Sequence, residues 1–540
     1  MVISGNIVDV INKRIFKGQI RIENGIIVDI TENDNTEDVY IIPGLIDSHV
    51  HIESSMLTPV EFSRLAIRHG TTGAVSDPHE IANVLGAEGI EFMISNGKQT
   101  PFRFYFGAPS CVPATTFETS GSKIGAEEID KLLASDNIYY LSEMMNFPGV
   151  IFGDTEVQAK IRAAKHHNKP VDGHAPGVSG EDLIKYASAG ITTDHECTGM
   201  EEAEEKIKCG MKIQIREGSA AKNFNSLYGL IDKYPDHVML CTDDSHPDDL
   251  VNGHINSIIK TGIDKGVDLF NILRAATLNP ARHYNLDNGL LQKNDPADIV
   301  IIDDPERFNV LKTFINGDLV FDNGNVLIEQ AESIDLNNFS CNYIKNTEIE
   351  VRTEGEKINI IKAFDGELYT VKETVSANEK DGFIVPDTES DILKIVVKNR
   401  YVQSQSSVAF IKGFNLNKGA IAGSIAHDSH NIIAVGTNDK DICSAINKII
   451  DNKGGIAVCT GNDIFDLQLN IGGIMTDEDG ISVAEKYKLI NNKAREMGSE
   501  LHAPFMTLSF MALLVIPEIK LGDKGLFDGK DFRFISLFVE

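Results

Sequence analysis

His49 and His51 stand one residue apart behind an apolar run in "PGLIDSHVHIESSMLTP", residues 43–59. In a strand, residues i and i+2 project to the same side, so the two imidazoles are presented together. A lone pair of this kind is weak evidence, because paired histidines in loops are ordinarily solvated or bonded to backbone. Four later stretches change the weight. "LSEMM" carries Glu143, "DGHAP" His174, "TDHEC" His195, and "CTDDS" Asp243 beside Asp244. Four imidazoles and two carboxylates in one place can hold two divalent cations, with a carboxylate able to bridge them. The chemistry of such a pair is hydrolysis by activated water.

Side chains so distant along the chain need a scaffold that gathers them. Between Leu45 and about Tyr284, short apolar strands alternate with helix-like segments. The strands are "GLIDSHVHI", "TTGAVSD", "FRFYFGAPS", "IYYLSEM", "KPVDGHAP", "GITTDHE", "MKIQIREGS" and "HVMLCTDDS". Helical stretches such as "DTEVQAKIRAAKHHN" and "SGEDLIKYASAG" have acidic starts and stop at Asn or Gly. Eight such units match the usual size of a (β/α)8 barrel, about 250 residues, whose active site lies where the C-terminal strand ends converge. All six candidate ligands occupy such ends. A doubly wound open sheet is the competing reading.

The flanks differ. "GQIRIENGIIVDI" has period 2 around an Asn24-Gly25 turn, and "ADIVIIDDPERFNVLKTFINGDLVFDNGNV" is again strands and turns. Residues 1–43 and 284–335 are expected to form one composite β-sandwich around the barrel of residues 44–283. A chain of 540 residues exceeds what one core supports, and residues 340–540 are expected to form a C-terminal α/β domain. There "GTNDKDICSAINKIID" reads as a capped helix with Ile442, Ile446, Ile449 and Ile450 on one face.

A formal charge of −30 without a Lys/Arg cluster argues against nucleic acid or an anionic membrane as partner, and for a small neutral or weakly basic substrate. Seven scattered cysteines without a CxxC pair suit a reducing compartment, and a cytoplasmic protein is expected. "FMTLSFMALLVIP" is too short to span a bilayer and reads as core or as dimer surface. A homodimer is expected.

The runs "HVHIESSMLTP", "VSDPHEIANV", "GHAPG", "DHECT", "IREGSAAKN" and "LCTDD" resemble the adenine deaminase family of the amidohydrolase superfamily. "NPARHYNLDNGLLQKNDPADIVIIDD" resembles the superfamily's return into its β-sandwich, and "GSIAHDSHNIIAVG" is similar to the family's extra C-terminal domain. The likeness therefore covers essentially the whole chain. Its first two runs are family-level signals, whereas HxH and the eighth-strand aspartate are shared across the superfamily. The resemblance implies hydrolysis of adenine to hypoxanthine and ammonia, as in purine salvage, with two divalent ions. Manganese or iron(II) is implied, and zinc also suits imidazole and carboxylate ligands. Carried over residue by residue, His49 and His51 correspond to ligands of the more buried metal. Glu143 corresponds to the carboxylate between the metals, and His174 and His195 to ligands of the second ion. Asp243 corresponds to the eighth-strand aspartate, because superfamily members place it directly after the threonine; Asp244 is the alternative.

Displacing ammonia from C6 of adenine calls for a proton carrier, and Asp243 fits general base and then acid. Attack also loads the ring with electrons, best relieved by a carboxylic acid at N1. Glu53, Glu80 and Glu217 all follow strand ends and stand equal as candidates. Glu196 directly follows a ligand and should face away in a regular strand. His79, Arg216 and Ser54 are candidates for orienting the purine, against a structural role for each. His427, Asp428 and His430 in "AHDSHN" are read as a hydrogen-bonded loop at a domain contact.

Other chemistries fit less well. No lysine lies in "NIYYLSEMMNFPG" to become the carboxylated lysine of hydantoinase- or dihydroorotase-like sites. The HxE and PCxxC pattern of cytidine-deaminase zinc sites is absent, as are GxSxG, HExxH and Walker A. Two alternatives stay open: another amidohydrolase acting on a related purine or cyclic amide, and a non-catalytic amidohydrolase-like assembly protein. The second expects lost ligands, yet all six positions hold competent side chains.

Overall fold

The computed structural model describes residues 1–34, 36–331 and 334–539; residues 35, 332, 333 and 540, inside the flanking and C-terminal segments expected above, lie outside it. The N-terminal alternation produces β1 (Val2–Asp9), β2 (Arg14–Glu23), β3 (Ile26–Glu32) and β4 (Tyr40–Pro43). Asn24 and Gly25 join β2 to β3 with φ of 51° and 78°. Positive φ at both positions suits a two-residue hairpin turn whose twist matches its strands.

Eight parallel strands follow: β5 (Leu45–Val50), β6 (Thr71–Ser76), β7 (Arg103–Ala108), β8 (Ile138–Met144), β9 (Val171–Gly173), β10 (Thr193–Asp194), β11 (Lys212–Arg216) and β12 (Val238–Cys241). Continuous ladders join β5 through β9 and β10 through β12. Two seams complete the ring. Thr192 N–H donates to the Val171 carbonyl (2.9 Å), bringing β9 to β10. At the other seam, Val50 bridges Asp243 in parallel and Ser48 Oγ donates to the Leu240 carbonyl (2.8 Å). The ring is a (β/α)8 barrel, which excludes the open sheet.

The chain then returns to the flanking sheet as β13 (Ile299–Ile302), β14 (Val310–Ile315), β15 (Asp318–Asp322) and β16 (Asn325–Val326). The hydrogen-bonded order is β16-β15-β14-β13-β4-β1-β2-β3, with β4 lying between β1 and β13. Alternation divides its side chains. Val8, Ile42, Val300 and Ile302 join the barrel core, while Ile7, Ile41, Ile299 and Ile301 build a separate core with Ile20, Ile22 and Phe314. One face thus grips the barrel and the other closes on itself in sandwich fashion.

The C-terminal region centres on a second eight-stranded sheet whose middle strands include Leu393–Lys398, Ile432–Gly436, Ala420–Gly423 and Gly455–Thr460. Helix Asp439–Asn452 covers one face, capped by Asn438, whose side chain accepts the Asp441 N–H. Ile442, Ile446 and Ile449 pack there on Val396, Ala420, Ala434 and Ala457. The alternate residues Ile395, Val397, Ile421, Ile433 and Val435 merge with the barrel's own core. Helix Pro504–Phe510 and its neighbours Met511 to Leu513 are buried in that shared core, which settles the Met-rich stretch as interior, not dimer surface. Among the described residues no helix is long and apolar enough to cross a membrane.

Candidate metal centre

The seam between β5 and β12 runs through the site. His51 N–H donates to the Asp243 carbonyl (3.1 Å) and Asp243 N–H to the His49 carbonyl (2.9 Å). Below them Asp47 bolts the two strands together, accepting from the Thr242 N–H (3.1 Å) and hydroxyl (2.5 Å). Asp243 itself has φ 58°, a left-handed conformation that aspartate tolerates better than most side chains. Strain of this sort gathers at functional positions. Gly173 ends β9 where a Cβ would stand 2.3 Å from the Thr193 carbonyl oxygen, so only glycine lets His174 leave the strand this close to β10.

Around this seam the six expected side chains converge, all buried except His174, which is slightly more open. Glu143 is the hub. Its Oε1 lies 3.4 Å from His51 Nε2, and its Oε2 lies 2.7 Å from His174 Nδ1 and 3.2 Å from His195 Nε2. Asp243 Oδ1 is 3.2 Å from His51 Nε2 and 3.6 Å from His49 Nε2. The His49 and His195 rings stack with centroids 4.2 Å apart. His49, His195 and Asp243 bring donor atoms within 4.8 Å of one another, as do Glu143, His174 and His195.

Unpartnered atoms test whether a cation fits. Both ring nitrogens of His49 and Nδ1 of His195 are buried without a hydrogen-bond partner. Leaving such an atom unsatisfied costs about 1–3 kcal/mol, and a metal–imidazole bond removes the cost. Burial, followed by the neighbouring His195, pushes the His49 pKa down, so it presents the neutral ring that a metal requires. Burial acts against protonation of His51, His174 and His195 too, but the carboxylates outweigh it. His51 rises well above its usual value, His174 rises, and His195 reaches about 9. These imidazoles lie in a strongly negative pocket, the environment a divalent cation neutralises. The donor set fits.

Two residues join the cluster without having been expected there. Asp77 directly follows β6, and its buried Oδ2 lies within ion-pair distance of His79 Nδ1, at 3.2 Å. His51, Asp77, His79 and Glu143 make a further four-donor group within 4.8 Å. The signal was available: "DPH" repeats the spacing of "HVH" at a strand end. Glu196 is the second, and corrects the expectation that it faces away. β10 stops at Asp194, so alternation no longer applies, and Glu196 Oε1 lies 3.5 Å from His195 Nε2 and 3.6 Å from His174 Nδ1.

Other candidates are placed differently from what was expected. The Arg216 guanidinium is engaged by carboxylates of the protein. Nη1 and Nη2 grip Glu196 at 2.5 and 3.0 Å, Nη1 also contacts Asp243 Oδ2, and Nε donates to the Ala221 carbonyl. Burial alone would protonate Asp243, yet Arg216, with His49 and His51, holds it well below the usual carboxylate range. Replacing Arg216 with Met strands two buried carboxylates, and a loss of about 3–5 kcal/mol is expected as a lower denaturant midpoint. An unchanged midpoint would show that the pairs bring no net stability.

Glu217 accepts the Phe224 N–H (3.2 Å) and lies 4.0 Å from Lys222 Nζ. Ser54 Oγ is engaged with Asp244; the Asp243 carboxylate lies 3.6 Å from His49 and 3.2 Å from His51, and Asp244 makes a further donor group with His51 and Asp243 within 4.8 Å. Glu80 is bound through both oxygens by His427 and His430. Although burial opposes it, these imidazoles and His79 keep Glu80 well below the normal carboxylate range. Glu53, in the turn Ile52–Ser55, accepts the Ile81 N–H at 3.1 Å through Oε1 and leaves the buried Oε2 unpartnered.

A barrel whose strand ends gather four imidazoles around two carboxylates defines a metal-dependent hydrolase, and residues 40–320 match the family model described as the amidohydrolase family. Residues 367–533 match the adenine deaminase C-terminal domain. The adenine deaminase of Methanosarcina acetivorans is 53% identical over 547 residues, covering 99% of each chain. That of Salinibacter ruber is 48% identical, covering 100% of this chain and 99% of its own. The chain belongs to the amidohydrolase family and, within it, to the adenine deaminases. Among solved structures, N-acetyl-D-glucosamine-6-phosphate deacetylase from Mycobacterium smegmatis aligns with a TM-score of 0.47 and 13% identity, over 59% of this chain and 100% of that one.

Proposed function

We propose that this protein hydrolyses adenine to hypoxanthine and ammonia at a centre of two divalent cations. The carrying observation is Glu143, whose two oxygens address different imidazole groups, as a carboxylate shared between two ions requires. His49, His51 and Asp243 would hold one cation and His174 and His195 the other. Bound there, the cations would make hydroxide available at neutral pH. Ligands of nitrogen and oxygen without thiolate suit manganese or iron(II), with zinc compatible.

The protein's own groups manage the protons. Asp243 takes one proton from the attacking water and returns it to the leaving amino group, while the water's other proton replaces the one the ring acid gives to N1, so that water and adenine give hypoxanthine and ammonia in balance. Arg216 fixes the far oxygen of Asp243, which leaves Oδ1 facing His49 and His51. Glu53 is the best-placed acid for ring N1, because its unpartnered Oε2 sits in the buried turn that follows His51. A role in purine salvage, in the cytoplasm and as a homodimer accords with this activity. Ammonia release is expected from adenine and not from adenosine, guanine, cytosine or dihydroorotate. Release from adenosine but not adenine would defeat the free-base assignment.

A further inference from the structure

Glu80 sits in helix His79–Leu85 directly after β6, yet the groups that hold its carboxylate come from 347 and 350 residues further along the chain. His427 Nδ1 lies 2.6 Å from Oε1, and His430 Nε2 contacts Oε2. All three side chains are buried. The loop that brings the two imidazoles is itself fixed. The His427 ring stacks on Phe510 with centroids 4.8 Å apart, and the His427 N–H donates to the Ser509 carbonyl (3.2 Å). Asn431 Nδ2 reaches across to the Thr119 carbonyl of the barrel (2.9 Å). Between the imidazoles, Asp428 offers one donor atom in a group with His79 and Glu80 and keeps its buried Oδ2 unpartnered. The loop therefore faces the site, not the outside.

A buried carboxylate needs partners, and backbone N–H groups of its own helix would have sufficed to satisfy it. Two N–H donors from another region do more, because they fix both oxygens and hence the carboxylate plane. We infer that His427 and His430 are positioning residues for Glu80, so that the C-terminal region completes the catalytic site instead of only packing beside it. The inference rests on the adenine-hydrolysing reading: Glu80, oriented through both oxygens, keeps a lone pair on each for an N–H of the purine.

The test is a double-mutant cycle between positions 427 and 80, with adenine kinetics, metal content and thermal unfolding read on each full-length variant. His427→Ala is expected to lower kcat/KM roughly 100-fold at wild-type metal content, as a misplaced group does. In a Glu80→Gln background the same change is expected to cost less than about threefold, since nothing remains to be positioned. His427→Asn and His430→Gln return an N–H near the lost donor and should each recover about tenfold over the alanine variants. They also keep the packing, should the alanine variants not fold. Equal factors in both backgrounds, or wild-type kinetics in His427→Ala, would overturn the inference. Coupling in the unfolding midpoints needs no substrate, so a failure of the adenine assignment stays distinct from a failure of the positioning.

Discussion

Asp243→Asn is expected to lose about three to four orders of magnitude in kcat while retaining at least part of the metal. Asparagine keeps the shape and an oxygen for coordination but cannot carry a proton between water and the leaving amine. The geometry makes the substitution clean, because the Asp243 backbone is held independently by its bonds across the β5–β12 seam. Arg216 would still grip Glu196 through two bonds, so the guanidinium should not collapse into the site. Steady-state kinetics beside elemental analysis checks the expectation. The neighbouring Asp244→Asn loosens the bond from Ser54 and removes a charge near His51, but leaves the Asp243 carboxylate in place, and should stay within about tenfold of wild type. Full activity in Asp243→Asn would remove it as the proton carrier.

Glu143→Ala should have the second large effect, and through a different cause. This carboxylate is the shared neighbour of His51, His174 and His195, so its loss removes the negative charge that holds both halves of the centre. Metal content is expected to fall below one ion per chain and adenine turnover to background, a loss of at least about 10⁴-fold. Chelation of the wild-type protein should do the same, and manganese or iron(II) should restore it. A Glu143→Ala variant that kept two ions, or protein active after thorough chelation, would contradict a binuclear centre.

The barrel was legible in the sequence because parallel strands buried on both faces read as near-continuous apolar runs. Each of β5 to β12 falls inside such a run, even β10 with its two residues. The convergence of the six candidate donors was legible because they sit at strand ends and carry side chains able to bind metal. What lay beyond the alternation rule was missed. Glu196 joins the cluster because β10 ends early, a boundary of one or two residues that periodicity does not resolve. Arg216 looked like a purine contact because a lone cation at a strand end has no partner in one dimension; in three, Glu196 and Asp243 claim it. The grip of His427 and His430 on Glu80 spans most of the chain, and no local pattern records a pairing at that separation.

Placing β4 between β1 and β13 has a consequence for how the protein is made. β4 pairs with β1 on one side, but its other edge must wait for β13. While the ribosome works through residues 44–298, at roughly 5–20 residues per second, that strand edge stays open for roughly 13–50 s. An unpaired edge is a template for wrong partners, and this one closes only when the pairing of β13 with β4 puts β4 in the interior of the sheet.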